Sequence, residues 1–241
     1  MLKFFRRIRH KLLDEGNLKR YLVYALGEIF LVMIGILLAI QVNNWNQGQK
    51  NNKSKSVYLN SLYSDLKEQS LMLDERINHE NRNVESTQKA IDLIDNNLYK
   101  QNIDSLRRLM LRSMGTRTFS TSDATYDDLK STGNLQLISD NELKSKIITL
   151  YNWVYEEDKI YSKNNPIVEE FYGNYIRNNK PGFYHDKLGQ IKSSKLDNLE
   201  ILYELRFKLS FRRLFARGHA NRMKRIKEEI DALMKELENT L

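Results

Sequence analysis

Residues 21–42 read YLVYALGEIFLVMIGILLAIQV. A run of about 20 apolar residues, each rising ~1.5 Å in a helix, crosses a hydrocarbon core of ~30 Å. Thirteen of these residues are Leu, Ile, Val or Phe. At roughly −0.3 to −0.6 kcal/mol each they favour insertion by roughly 6 kcal/mol, against roughly 2.5–3.5 for one central charge. The one charge, Glu28, lies off-centre, so insertion wins. The apolar run exceeds the core of a cleaved signal peptide, and no small-x-small cleavage site follows it. It reads as a retained signal anchor, and it divides the chain into residues 1–20, 21–42, a polar linker or stalk over 43–56, and a helical domain over 57–241.

The flanks orient the span. Seven Lys/Arg lie in residues 1–20 and three in residues 43–62. Positive charge stays inside, which predicts a cytoplasmic N-terminus, a single pass through the inner membrane and a periplasmic C-terminal domain. Residues 2–15 set Leu2, Phe5, Ile8 and Leu12 on one side of a helix, with Lys3, Arg6, Arg7, Arg9 and Lys11 around the rest. This pattern predicts an amphipathic helix lying in the headgroups of an anionic leaflet, with those five cations on membrane lipid. Gly16 then ends it.

Steps of three and four from Glu28 pass through Gly35 and Ala39. Gly35 and Ala39 form a small-xxx-small pair that admits a second helix closely, so Glu28, Gly35 and Ala39 are candidate membrane-packing residues. Three readings of Glu28 stay open: a structural contact with a neighbouring helix, a site handling ions or protons, and a carboxylate wetted at the interface.

The rest of the chain favours helices, with two prolines and no cysteine in 241 residues. Without cysteine there are no disulfides, thiolate metal sites or thiol catalysis. Net charge is +8; residues 1–42 supply +4 of it, seven bases less Asp14, Glu15 and Glu28. Half the basicity thus belongs to topology, and no basic cytoplasmic domain exists to bind nucleic acid. A heptad-like seam runs through Leu59, Tyr63, Leu66, Ser70, Leu73, Ile77, Glu80, Val84, Thr87, Ile91, Ile94 and Leu98. A second follows Leu202, Leu205, Leu209, Arg212, Ala216, His219, Met223, Ile226, Ile230, Leu233 and Leu237. Asn96 and Asn97 allow a turn after the first.

The expected fold is all-α: an interfacial helix, one transmembrane helix, then an extracytoplasmic antiparallel bundle of two long helices with short helices at the distal end. Those short helices are expected at residues 105–114, from Thr121 or Ser122 to Gly133, from a Ser139/Glu142 capping box to about Tyr161, and from Pro166, with Ile167, Phe171 and Tyr175 inward. After Lys180 a loop rich in Gly, Lys and Ser is expected.

Chemical motifs are absent. The four histidines, His10, His79, His185 and His219, are scattered without metal-ligand spacing, and neither a nucleophile elbow nor a phosphate-binding glycine loop occurs. No cofactor, metal or enzymatic activity is expected. Trp153, Tyr155, Phe171, Tyr172 and Tyr175 concentrate in one region, as core or as a recognition patch.

Several stretches together carry a resemblance: FFRRIR at 4–9, YLxYAxGEI at 21–29, IGILxA at 34–39, NNWN at 43–46 and YDDLKSxGNL at 126–135. This signature resembles a family of uncharacterised single-span membrane proteins of Bacteroidota, which implies an inner-membrane anchor with a periplasmic domain and supplies no activity. The leading expectation is a non-enzymatic anchored scaffold or accessory subunit, contacting its own copies in a homo-oligomer or another membrane protein. Two alternatives are a periplasmic sensory or ligand-binding module that needs a membrane partner, and an energy-coupling subunit using Glu28.

Overall fold

The computed structural model describes residues 18–117 and 122–240, and the chain is predominantly α-helical. Helix α1 is Leu18–Asp95. The polar run that left linker and helix open is helical within it, with Gln47 donating to Asn51 one turn on at 3.0 Å. It contains no proline, and helix already formed on either side needs only propagation, which costs a few tenths of a kcal/mol per polar residue. The helix ends where Asn97 turns left-handed at φ 56°. There the Leu98 N–H donates to the Leu93 carbonyl and the Asn97 N–H to Ile94, closing the last turn.

Two compact units divide the chain, Met1–Lys55 and Ser56–Leu241. In the first, every side chain from Ile29 to Lys50 is exposed. Among the described residues this is the one helix long and apolar enough to cross a bilayer.

The second unit adds α2 (Ile103–Arg112), α3 (Ala124–Ser131), a 3-10 turn (Asn134–Leu137) and α4 (Asn141–Val168). A π turn (Glu169–Gly173), α5 (Asn174–Arg177), strands β1 (Phe183–His185) and β2 (Ile191–Ser193), and α6 (Leu199–Glu238) follow. All eleven seam positions of α6 are buried. Ascending positions on α1 meet descending positions on α6: Tyr63 bonds Glu238 at 2.5 Å, Ser70 bonds Asp231 at 2.8 Å, and Arg206 grips Asp95 at 2.6 and 2.8 Å.

The apolar core forms two clusters. One joins Leu59, Leu62, Leu66 and Leu73 to α4 and to Met223, Ile226, Ile230, Leu233 and Leu237 of α6. The other joins Ala90, Ile91 and Ile94 to Leu106 and Met110 of α2, Tyr172, Tyr175 and the Leu202, Leu205 and Leu209 turns of α6.

Several local expectations need correction. Asp140, not Ser139, caps α4, its carboxylate accepting from the Glu142 and Leu143 N–H groups at 2.8 and 3.1 Å. The two adjacent side chains are both competent caps, and the extended backbone of Asp140 decides between them. Helix α4 does not stop near Tyr161. It runs through Pro166 to Val168 and passes into the π turn. Pro166 removes one donor near the C-terminal end, where burial of Tyr161, Val168 and Tyr172 holds the backbone helical. α4 is therefore a third long helix lining the core, and Ile167, expected inward, is exposed. The helix before Gly133 starts at Ala124 with Asp123 as its cap residue, not Ser122, while Thr121 lies outside the described residues.

The loop after Lys180 folds into a hairpin, pairing Phe183 with Ser193 and His185 with Ile191. Strands of three residues are too short to show an alternating pattern. Asp186 organises the hairpin turn, accepting from the Leu188 and Gln190 N–H groups at 2.9 and 2.8 Å, with Gly189 at φ 74°.

Candidate functional site

Of the residues singled out in the sequence, Lys3, Arg6, Arg7, Arg9 and Lys11, with the helix proposed for them and Gly16, lie outside the described residues. Glu28, Gly35 and Ala39 lie on one side of α1, where Glu28 is half-buried and Gly35 and Ala39 are exposed. A side chain at Gly35 would meet nothing within 4 Å. Gly35 and Ala39 are thus uncovered among the described residues, which leaves room for another helix beside those two positions.

Between the two core clusters lies a buried polar layer. The Arg212 side chain is 1% exposed and the Glu80 side chain 4%. Arg212 donates Nη1 and Nη2 to Glu80 Oε2 at 3.2 and 3.3 Å, Nε to the Ser113 carbonyl at 2.9 Å, and Nη2 to the Gly115 carbonyl at 3.0 Å. Asn83 Nδ2 adds a bond to Glu80 at 3.2 Å. A buried guanidinium needs its donors engaged, and residues 113–115 provide carbonyls because the chain has just left α2 there. Tyr172, at 2.7 Å from the Ser113 hydroxyl, also donates to the Met110 carbonyl at 3.1 Å. Arg212 thus clamps the segment after α2 onto both α1 and α6.

Two turns along α6 from Arg212, His219 is 2% exposed and its ring lies 4.1 Å from that of Tyr161. Its Nε2 sits 3.3 Å from Asn164 Nδ2. Burial, then the nearby Arg222 and Arg212 cations, pull its pKa down to about 4, so the imidazole is neutral at pH 7. The acid of this layer is occupied by Arg212 and the imidazole is packed between rings. The arrangement therefore fastens three segments together and presents no nucleophile to a cavity. Among the described residues no group of three or more His, Asp or Glu is placed to hold a metal.

The exposed side of α6 is different. Tyr203, Phe207 and Leu214 are 64%, 62% and 68% exposed. Phe171 of the π turn packs against this row, its ring centre 4.4 Å from that of Phe211 and 5.9 Å, edge-on, from that of Phe207. The ring centres of Phe211 and Phe215 lie 4.5 Å apart with the planes tilted by 39°. Lys208 Nζ lies 3.9 Å from the Phe171 ring centre and donates to the Phe171 carbonyl at 3.2 Å, a cation–π contact that fixes the ring. Of the aromatics flagged in the sequence, Tyr172 and Tyr175 are core, Phe171 borders this row, and Trp153 lies elsewhere.

Trp153 lines a groove of about 540 Å³ between α4 and α6, floored by Leu150 and Leu233. Lys146 bridges the groove's Glu142 and Glu236 at 2.8 and 2.9 Å, and those two bonds hold its pKa above the usual lysine range. Sequence reading missed Tyr203, Phe207 and Leu214. Their signal was available: they lie opposite the seam at helical spacing.

Compared with known proteins, the chain matches one family model over residues 28–166, described as a family of unknown function (DUF6090). No curated protein and no solved structure matches it.

Proposed function

We propose, for a chain that belongs to the family of unknown function DUF6090, a non-enzymatic membrane-anchored protein that works through protein–protein contacts, as a scaffold or accessory subunit. Residues 21–42 cross the inner membrane once, with the basic N-terminal residues on cytoplasmic lipid and the helical domain in the periplasm. The long helices α1 and α6 form the antiparallel bundle of that domain, with α4 as the third member.

One observation carries the reading. Apolar surface is left uncovered in two distinct places, all around α1 over residues 29–42 and in a row on α6. The first suits lipid together with a helix against Gly35 and Ala39; the second suits another protein. The Glu80–Arg212 layer supports it too, since ionic groups there are used to fasten helices.

Reversible cross-linking in native membranes, purification in mild detergent and mass measurement test the proposal. A homo-oligomer or a stoichiometric second membrane protein is expected. An isolated monomer in native membranes rejects it. Glu28→Gln should leave assembly and membrane association intact; loss of an ion-dependent activity in that variant would favour the coupling alternative.

A further inference from the structure

The exposed side of α6 changes sign along its length. Glu200 and Glu204 stand exposed at its N-terminal end, whereas residues 205–227 contain no Asp or Glu and Arg217, Lys224 and Arg225 are exposed there. At about 100° per residue, Phe207 and Leu214 fall opposite the buried Leu205, Leu209 and Ala216. Between the charged ends, the outward side is therefore apolar, with exposed surface on the order of 400 Å² at ~200 Å² per large side chain. That matches the largest patch of a typical soluble monomer, and such patches are often functional. Arg217 is exposed and forms no ion pair among the described residues.

We propose that this face docks an amphipathic α-helix of a partner protein lying antiparallel to α6. That helix carries an apolar stripe over Phe207 and Leu214, acidic side chains in its first turns beside Arg217 and Arg225, and basic ones in its last turns beside Glu200 and Glu204. The inference rests on the contact-based function proposed above and gives the chemistry of one partner. An acidic start and a basic end are what helix dipoles favour, and anchors spaced 203, 207 and 214 suit a helix in a groove. An anionic leaflet has one sign throughout and would repel Glu200 and Glu204.

A second copy fits less well. Parallel pairing sets Arg217 against Arg217 and Glu204 against Glu204. Antiparallel pairing satisfies the charges, but Tyr63 lies beside Glu238, so it sends the two Ser56 ends to opposite ends of the pair. Each of those ends leads within fourteen residues to residue 42, so at least one of the two connecting segments would have to run back along the pair for both proposed spans to share a bilayer.

The test uses the full chain in neutral-lipid nanodiscs and two synthetic helical peptides of ~20 residues. One has a leucine stripe with Glu in its first turns and Lys in its last; the other has Glu and Lys exchanged. Fluorescence anisotropy is expected to show at least tenfold tighter binding of the first, lost in Phe207→Ser and kept in Trp153→Ser. The double variant Glu204→Lys/Arg217→Glu should reverse the preference.

Equal affinity for both peptides overturns the proposal. So does binding to phosphatidylglycerol vesicles without peptide preference, or a homodimer that Phe207→Ser dissociates. If the cross-linked complex in native membranes survives Phe207→Ser and the peptide preference is absent, this inference fails while the contact-based function stands. A wild-type monomer in those membranes removes both.

Discussion

Residues 29–42 of α1 and the outward side of α6 both expose large apolar side chains, but the patterns differ. On α1 the exposure goes around the helix: Ile29, Phe30, Leu31, Val32 and Met33 follow one another, all at least 45% exposed. On α6 it is confined to a row of Tyr203, Phe207 and Leu214, opposite a fully buried seam and bordered by charges. A helix apolar all round is matched to lipid, whereas one with a second apolar stripe is matched to a single additional surface. The arrangement of uncovered apolar surface, more than its amount, indicates which solvent or partner it meets.

The largest expected effect breaks the first half of that contrast. Leu31→Arg/Ile34→Arg places two charges midway along the proposed span at roughly 2.5–3.5 kcal/mol each, and forfeits the two apolar contributions. That exceeds the net insertion energy, so the protein should leave the carbonate-resistant membrane fraction. Phe207→Arg should leave that fraction unchanged. Equal behaviour of the two variants would erase the distinction.

The buried layer behind the α6 row comes next. Arg212→Met leaves Glu80 buried without its cation and should cost ~3–5 kcal/mol in urea unfolding. Glu80→Leu/Arg212→Met should cost clearly less, because no lone charge remains. A larger loss in the double variant would contradict the clamp.

A smaller effect is pH-dependent. Unfolded, His219 takes up a proton near pH 6.5; folded, its pKa is about 4. Below 6.5 the unfolded state thus binds more protons, and stability falls as pH drops from 6.5 toward 4, by up to ~3 kcal/mol. His219→Gln should flatten the unfolding free energy across that window. The carboxylates held low by cations, such as Asp95 beside Arg206, lose their contribution only below it. The smallest expected effect is that of Phe207→Ser on stability, within about 0.5 kcal/mol by thermal unfolding, since the ring is largely solvated. A loss of several kcal/mol would make Phe207 a core residue and the row no docking face.

Much of the helical organisation was legible in the sequence, because a seam is a local pattern. On α6 it marks eleven buried residues. On α1 it misses outright at Leu98, which lies past the Asn97 turn and is 44% exposed. Glu80 and Arg212 were visible as odd members of the two seams, but their pairing spans 132 positions, and no local rule joins them. Pro166 misled because proline fits a first turn and tolerates a last one almost equally. The α6 row was passed over for a related reason: aromatics in a helix are ordinarily read as inward, and here the inward side was already filled.

Because the chain has no cysteine, single cysteines report accessibility without background. The most direct measurement compares labelling by a membrane-impermeant maleimide at positions 31, 36 and 207, in native membranes opened to the periplasm and in purified protein. Positions 31 and 36 are expected to be protected in membranes although they face different sides of α1, and position 207 to be protected there but to label freely once purified. Full-rate labelling of 207 in both preparations, or of either 31 or 36 in membranes, would contradict this pattern.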